Sequence, residues 1–368
     1  GIRGIAGSSV LHDQAFYEKH HEKKRERNWL LKWLDLQEHL DIRDISLTLR
    51  KTSGESSQIR VRELFLASAE GQKKLAAWLE VGKEGFLEVE GQGERLDRWN
   101  TDWSGVARAS QLNSEQLCAL WSGCHDDVDE ALLEMDVRWH FRSNRWQLAG
   151  RLASPRVSYR DPEGRWNRLS GETQLFMQGI RESQWQIWLS QLTLENALSN
   201  GVSYQWQSDW YLSGGKSVEQ GAEYSVTVAT ENLDLIQLKR WVLNTGVLPE
   251  KASELVRILN PSGELNDFAA RFYPSRKPFD IDLSARLNNV SVDAWKGAPS
   301  GGNVSGSVRM GLLKGYLDLD TENFRLGFPE LFRETWQYDT AKARLYWDVV
   351  DDTYILKSDE LALSGPEG

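Results

Sequence analysis

The residue types that usually carry chemistry are sparse in this chain of 368 residues, and none is spaced for it. The six histidines are His12, His20, His21, His39, His125 and His140. His20 and His21 fall inside the charged run EKHHEKKRER, and His140 takes the polar phase of an alternating strand. His125 opens HDDVDE, which lacks the spacing of a calcium loop and has no paired-cysteine motif beside it, so it reads as an acidic helix start. There is no Gly-x-Ser-x-Gly, no phosphate loop and no His-Glu-x-x-His. The stretch GKEGFLEVEGQGE is rich in glycine, but it lacks the Lys-Ser/Thr of a phosphate loop and no helical pattern follows it. It reads as a hairpin with turns. Asp280 and Asp282 alternate with Phe279, Ile281 and Leu283, which sends the carboxylates to solvent. No acid–base pair can be nominated. The expectation is a protein that is not an enzyme and holds neither metal nor cofactor.

The two cysteines, Cys118 and Cys124, sit in NSEQLCALWSGCHDD. On one straight helix they would stand about 9 Å apart along the axis, too far for a disulfide. Ser122 and Gly123 could instead end the helix and fold Cys124 back to bridging distance, and a bridge would imply an oxidising compartment. Both arrangements fit the sequence.

Composition narrows the partners. The net charge is −10, and phosphate binding needs a basic stripe that this chain lacks, so no nucleic-acid partner is expected. The one dense basic run, residues 18–27, is interleaved with glutamate and reads as a solvated helix face or tether. No run of 18 apolar residues is present, and no cleavable signal peptide is visible. The chain opens on Gly1 and closes on SGPEG, which reads as an excised piece of a longer polypeptide, upstream of which a membrane span could lie.

The elements that must carry whatever the protein does are strands. VSYQWQSDWYL places Val202, Tyr204, Trp206, Trp210 and Leu212 on one face, with Ser203, Gln205, Gln207 and Asp209 on the other. ALLEMDVRWHFRSNRWQLAGRL is a hairpin turning at Ser143-Asn144. Val137, Trp139 and Phe141 share the apolar face with Trp146, Leu148 and Leu152 of the return strand. In WQIWLSQLTL the apolar phase slips between Leu189 and Leu192, which predicts a β-bulge near Ser190. Later strands set Ile281 and Leu283, then Leu317, Leu319 and Phe324, on the same kind of face. Helical periodicity covers residues 13–40, and 232–244 after an Asn232 N-cap. It covers 248–259 as well, where Leu255, Val256 and Leu259 form a stripe expected to meet the apolar face. The count is about eighteen strands with three or four helices, connected mostly by gaps too short for crossovers and therefore antiparallel. So few helices cannot cover so much one-sided sheet, and the cover must be a second sheet or an apolar ligand.

Three stretches, taken in order, resemble a known family. NWLLKWLDLQEHLDIRDISLTLR is similar to the helix-then-strand opening of YhdP-type proteins. LNPSGELNDFAARF resembles their L-x-P-x-G-x-L-x-D segment, and GNVSGSVRMGLLKGYLDLDTENFRLGFPELF their G-x-L-x-G and F-P-x-x-F stretch. The resemblance runs over about residues 28–365. Such proteins belong to the AsmA-like, TamB-related group of Gram-negative envelope proteins. The resemblance implies a mainly β fold, a long, twisted, largely antiparallel sheet curled into an elongated apolar groove of the bridge-like lipid-transfer type, with a few short helices. It implies an organisation of 1–40 as a charged helical segment after a missing membrane anchor, and 41–231 as a first groove section with a short helix near 113–121. A helical insertion at 232–260 and a second groove section at 261–368 follow. It also implies a periplasmic body tied to the inner membrane, with phospholipids as cargo and the outer membrane or its proteins at the far end.

Two rivals stand beside a lipid conduit. One is an envelope scaffold for outer-membrane protein biogenesis, with the same sheet packed shut. The other is a glycan-binding sandwich, which would need exposed tryptophans where Trp139, Trp146, Trp206 and Trp210 share phase with aliphatics. The conduit reading makes a direct prediction for the parent chain. Its full sequence should carry an apolar span of about 20 residues upstream of this region, and a parent sequence without one would contradict the reading.

Overall fold

The computed structural model describes residues 35–50, 56–82, 84–95, 102–113, 128–161, 164–180, 184–216, 223–245, 248, 250–276, 280–296, 298–350 and 353–365. The predicted helix near 113–121, both cysteines and most of the predicted 13–40 helix lie outside them. Two compact units divide the chain, Gly1–Ser158 with Gln178–Arg181 and Tyr159–Met177 with Glu182–Gly368.

The first unit holds β1 (His39–Arg50), β2 (Ser56–Ala69), β3 (Gln72–Val81), β4 (Gly85–Gly93), β5 (Trp103–Asn113), β6 (Val128–Arg142) and most of β7 (Arg145–Arg160). Each of β1 to β5 pairs antiparallel with the strand that follows it. The β6–β7 hairpin turns at Ser143-Asn144 as the sequence predicts, with Ser143 as the left-handed residue at φ 56. His39 and Leu40 belong to β1 and do not end a helix, because they pair in register with Ala67 and Leu66.

The second unit holds most of β8 (Trp166–Ile180), β9 (Gln184–Ala197), β10 (Ser203–Lys216) and β11 (Tyr224–Asp234). Two helices follow, α1 (Leu235–Thr245) and α2 (Glu250–Leu259). The unit then continues through β12 (Ser262–Tyr273), β13 (Asp280–Val292), β14 (Ser300–Met310), β15 (Lys314–Gly327), β16 (Trp336–Val350) and β17 (Thr353–Ser364). From β9 onward each strand again pairs antiparallel with the next. The fold is mainly β, antiparallel, and not closed into a barrel.

The first helix starts three residues later than the sequence suggested. Asn232 and Asp234 continue β11, opposite Asn266 and Glu264. The cap is Asp234, whose Oδ1 accepts from the Ile236 and Gln237 amides while Oδ2 accepts from the Gln237 side chain. Asp234 thus satisfies the first free amides of the helix, while Asn232 stays paired in the sheet. Helix α1 lies against β11 and β12. Helix α2 touches α1, and its Leu255, Val256 and Leu259 are half-buried.

Side chains alternate across a sheet, and a one-residue slip would turn each apolar row to the wrong face. Left-handed polar residues absorb these slips. Gln111, Gln191, Asp267, Asn289, Asn303 and Asn323 all have φ between 49 and 57. The bulge expected near Ser190 is the Gln191 one, where Leu192 pairs with Ser208 but Leu189 with Trp210. Asn303 and Asn323 face a further register shift between β14 and β15, and Phe324 thereby joins Leu317 and Leu319 on one face.

Glycines on the apolar face seat tryptophan rings. A Cβ on Gly214 would stand 2.4 Å from the Trp185 indole, one on Gly93 2.4 Å from Trp103, and one on Gly315 2.3 Å from Trp347. Gly91 and Gly105 likewise lie under Trp139. The large rings therefore lie down on bare backbone. Trp185 is also fixed by donating to the Tyr224 hydroxyl at 3.2 Å.

A polar cluster closes the β7–β8 turn. The Asp161 carboxylate accepts from the Arg165 amide at 2.8 Å, the Arg165 guanidinium at 3.0 Å and Asn167 at 3.2 Å. Burial pushes the Asp161 carboxyl up, but these three donors outweigh it and the net displacement is below the ordinary aspartate value. Burial raises the Tyr159 phenol, which stays protonated and donates to Asn196 Oδ1 at 2.9 Å.

Two measurements check these points. Valine normally suits a strand better than glycine, yet Gly214→Val should lower stability by about 1–3 kcal/mol. Trp185→Ala added to that variant should recover part of the loss, giving a non-zero coupling in a double-mutant cycle. For Asp161, the folded-state value lies below the unfolded one of about 3.9. Its contribution is then complete above that value and lost as pH falls through the folded value. The urea-midpoint gap between wild type and Asp161→Asn should be widest at neutral pH and shrink steadily below about pH 4.

Candidate functional site

Register places one side chain per strand into rows that run across each sheet. In the first unit one row reads Ile42, Leu64, Ala77, Val89, Ala107 and Val137. The next row over, on the opposite face, reads Arg43, Glu63, Trp78, Glu88, Arg108 and Asp136. In the second unit an apolar row reads Ile187, Leu212, Val228, Ala270, Leu283 and Met310. Both units therefore carry a continuous apolar face and a wet face.

In both core clusters, burial on the apolar face is supplied by neighbours in the same sheet. One core cluster joins Leu319, Phe324, Ala341 and Ala343, packed by Leu317, Leu345 and other residues of β14 to β17. The other joins Val81, Ala109 and Leu112 with Leu87, Leu133 and Met135, all from β3 to β6. Alanine is the most frequent residue among the buried hydrophobics. Alanines among the buried positions and flat indoles beside them keep the surface low, and most of the larger side chains stay half-exposed.

The predicted lining residues mostly fall on this face. Val137, Leu319 and Phe324 are buried in its floor. Trp139, Phe141, Leu148, Tyr204, Trp206, Ile281, Leu283 and Leu317 are half-buried. Val202 precedes β10 and is 42% exposed; its carbonyl accepts from the Leu198 amide at 2.8 Å and its amide donates to Asn200 Oδ1. Sequence reasoning missed the glycine seats and the buried alanines, because both depend on which residue stands one strand away. It also missed Asn196, a fully buried amide in the apolar phase after Leu192 and Leu194. That break in the pattern was the available signal.

The wet face is laced with ion pairs along the register. Asp318 and Asp320 pair with Arg344 and Lys342 directly opposite. Asp282 accepts from Arg309 at 2.9 Å, and Arg108 bridges Glu88 and Asp136. An open cavity of about 560 Å³ lies at the strand ends of the second unit, lined in part by Tyr273, Arg276, Asp280, Arg309, Tyr316 and Tyr346. Its arginines are matched in place. Arg276 holds Glu223 and Asp280, whose hydrogen bonds raise it well above the ordinary arginine value, and Arg309 holds Asp282. Among the described residues no His, Cys, Asp and Glu cluster could hold a metal ion, and no helix is long and apolar enough to cross a membrane.

Neither a curated protein nor a solved structure matches the chain. A family model does, described as YhdP protein and aligned over residues 7–367. With nearly the whole chain matched, and a mainly β antiparallel fold with one apolar face, the chain belongs to the YhdP family of AsmA-like envelope proteins.

Proposed function

We propose that this chain is a section of a lipid conduit, in which the apolar face carries phospholipid acyl chains through the periplasm between inner and outer membranes. The parent protein would be held at the inner membrane and meet the outer membrane or its proteins at the other end. The reading needs no catalytic group, cofactor or nucleic acid. The observation that carries it is the unbroken apolar row in each unit, whose larger members stay half-exposed. Exposing an acyl chain to water costs about 0.8 kcal/mol per methylene, so a 16-carbon chain meets a barrier on the order of 12 kcal/mol. A continuous apolar trough removes most of that barrier by area alone. Weak selectivity among acyl chains follows, since dispersion contacts and area do not read head groups. The packed-shut scaffold finds less support, because both core clusters are built from neighbouring strands of one sheet.

A photo-crosslinking residue at Leu283 or Leu317 should capture phospholipid. The same probe at Asp282 or Asp318, one residue away on the wet face, should not. Leu283→Asp should stop lipid transfer and leave the protein folded, whereas a carboxylate in a sealed core would cost several kcal/mol and unfold it. Equal capture from both faces, or unfolding of Leu283→Asp, would overturn the proposal.

A further inference from the structure

The part of the apolar face beneath α1 holds two buried side-chain nitrogens without a hydrogen-bond partner among the described residues, Asn196 Nδ2 and Trp241 Nε1. Asn196 is fully buried on β9, in register with Tyr204, and the preceding apolar-phase residue, Leu194, faces Trp206. Trp241 reaches down from α1, its ring 5.6 Å from that of Trp206, which meets Trp210 edge-on. The Tyr159 hydroxyl ties the two sides together. It lies 2.9 Å from Asn196 Oδ1 and 3.5 Å from the Asn244 carbonyl, about one helical turn beyond Trp241. With Oδ1 engaged by Tyr159, the amide leaves Nδ2 as the free donor.

A buried N–H lacking an acceptor costs about 1–3 kcal/mol, and folded proteins tolerate few of them. Two in one indole-walled stretch imply an acceptor supplied from outside the chain. The groups that meet there, Tyr159, Asn196, Trp206 and Trp241, are all neutral. A phosphate would call for a charged donor such as arginine. A neutral oxygen carried on a hydrocarbon body fits both the donors and the rings, and a carboxylic ester is that group. We propose that the α1-covered stretch binds the glycerol-ester region of a diacyl lipid, with Trp241 and Asn196 donating to its carbonyl oxygens. This rests on the conduit reading and deepens it, adding one chemically selective resting place to an otherwise unselective trough.

The test is competition on the 368-residue chain between diacyl phosphatidylethanolamine and its di-O-alkyl analogue of equal chain length, which lacks both carbonyls. Native mass spectrometry counts each lipid retained. Wild type should favour the diacyl form by about three- to tenfold, the range for one or two neutral hydrogen bonds. Trp241→Phe, which keeps a ring and removes one of the two donors, should lower the ratio clearly, leaving the share due to Asn196. Equal retention by wild type would mean that water satisfies the donors, overturning the site while leaving the trough intact. A diacyl preference undiminished in Trp241→Phe would place ester recognition elsewhere and overturn the assignment to α1. Retention of neither lipid by wild type would overturn the conduit reading and the site with it. The wild-type comparison involves no substitution, so a folding defect in the variant cannot mask the outcome.

Discussion

A strand shows its side chains to alternate sides, so an apolar face shared by many strands survives only while every strand keeps phase with its neighbours. These sheets meet that condition over long strands, several of 14 to 16 residues. Such strands twist, and a twisted sheet needs local adjustments to keep its rows aligned. The left-handed Asn, Asp and Gln residues are those adjustments. The bulge at Gln191 takes up one residue and returns the apolar phase to the same side, as Leu189 and Leu192 show around it. Asparagine and aspartate enter that backbone region more readily than other residues with side chains, which accounts for most of the positions used.

Once phase is secured, the two faces solve opposite problems. The wet face matches acid to base across the register, as in Asp318–Arg344 and Asp320–Lys342. Exposed pairs of this kind contribute little each, about 0–1 kcal/mol, and serve register and solubility more than stability. On the apolar face much of the packing among the described residues is made within the sheet, with α1 lying over part of it. Alanines at depth and indoles laid on glycine give close contact within the sheet at low height. A taller set of side chains would bury more area and fill the space above the floor.

Much of this was legible in the sequence. Alternation in stretches such as Leu133–Phe141 and Ile281–Leu283 fixed strand identity and facing, because period two is a local signal. The phase slip in WQIWLSQLTL exposed one bulge for the same reason. Other bulges, including those at Gln111 and Asn303, were hidden where glycine or polar residues blurred the apolar phase. The start of α1 was misread because Asn232 and Asp234 are both acceptable caps, and only the pairing of β11 with β12 decides between them. The glycine seats could not be read at all. Gly214 and Trp185 are 29 positions apart, and nothing local says that one lies beneath the other.

Because strands pair mainly with their sequence neighbours, nearly all tertiary structure within each unit is made of hairpin-range contacts. Such a topology has low contact order, and its folding can start at any turn and spread outward, as in repeat proteins. Stability is then closer to a sum of neighbour terms than to one all-or-none quantity. A damaged hairpin would weaken the strands beside it and leave those several positions away with their amide protection intact. Denaturation of each unit would be expected to broaden into a succession of local losses, with shallow denaturant dependence, where a two-layered core of the same length would melt in a single step.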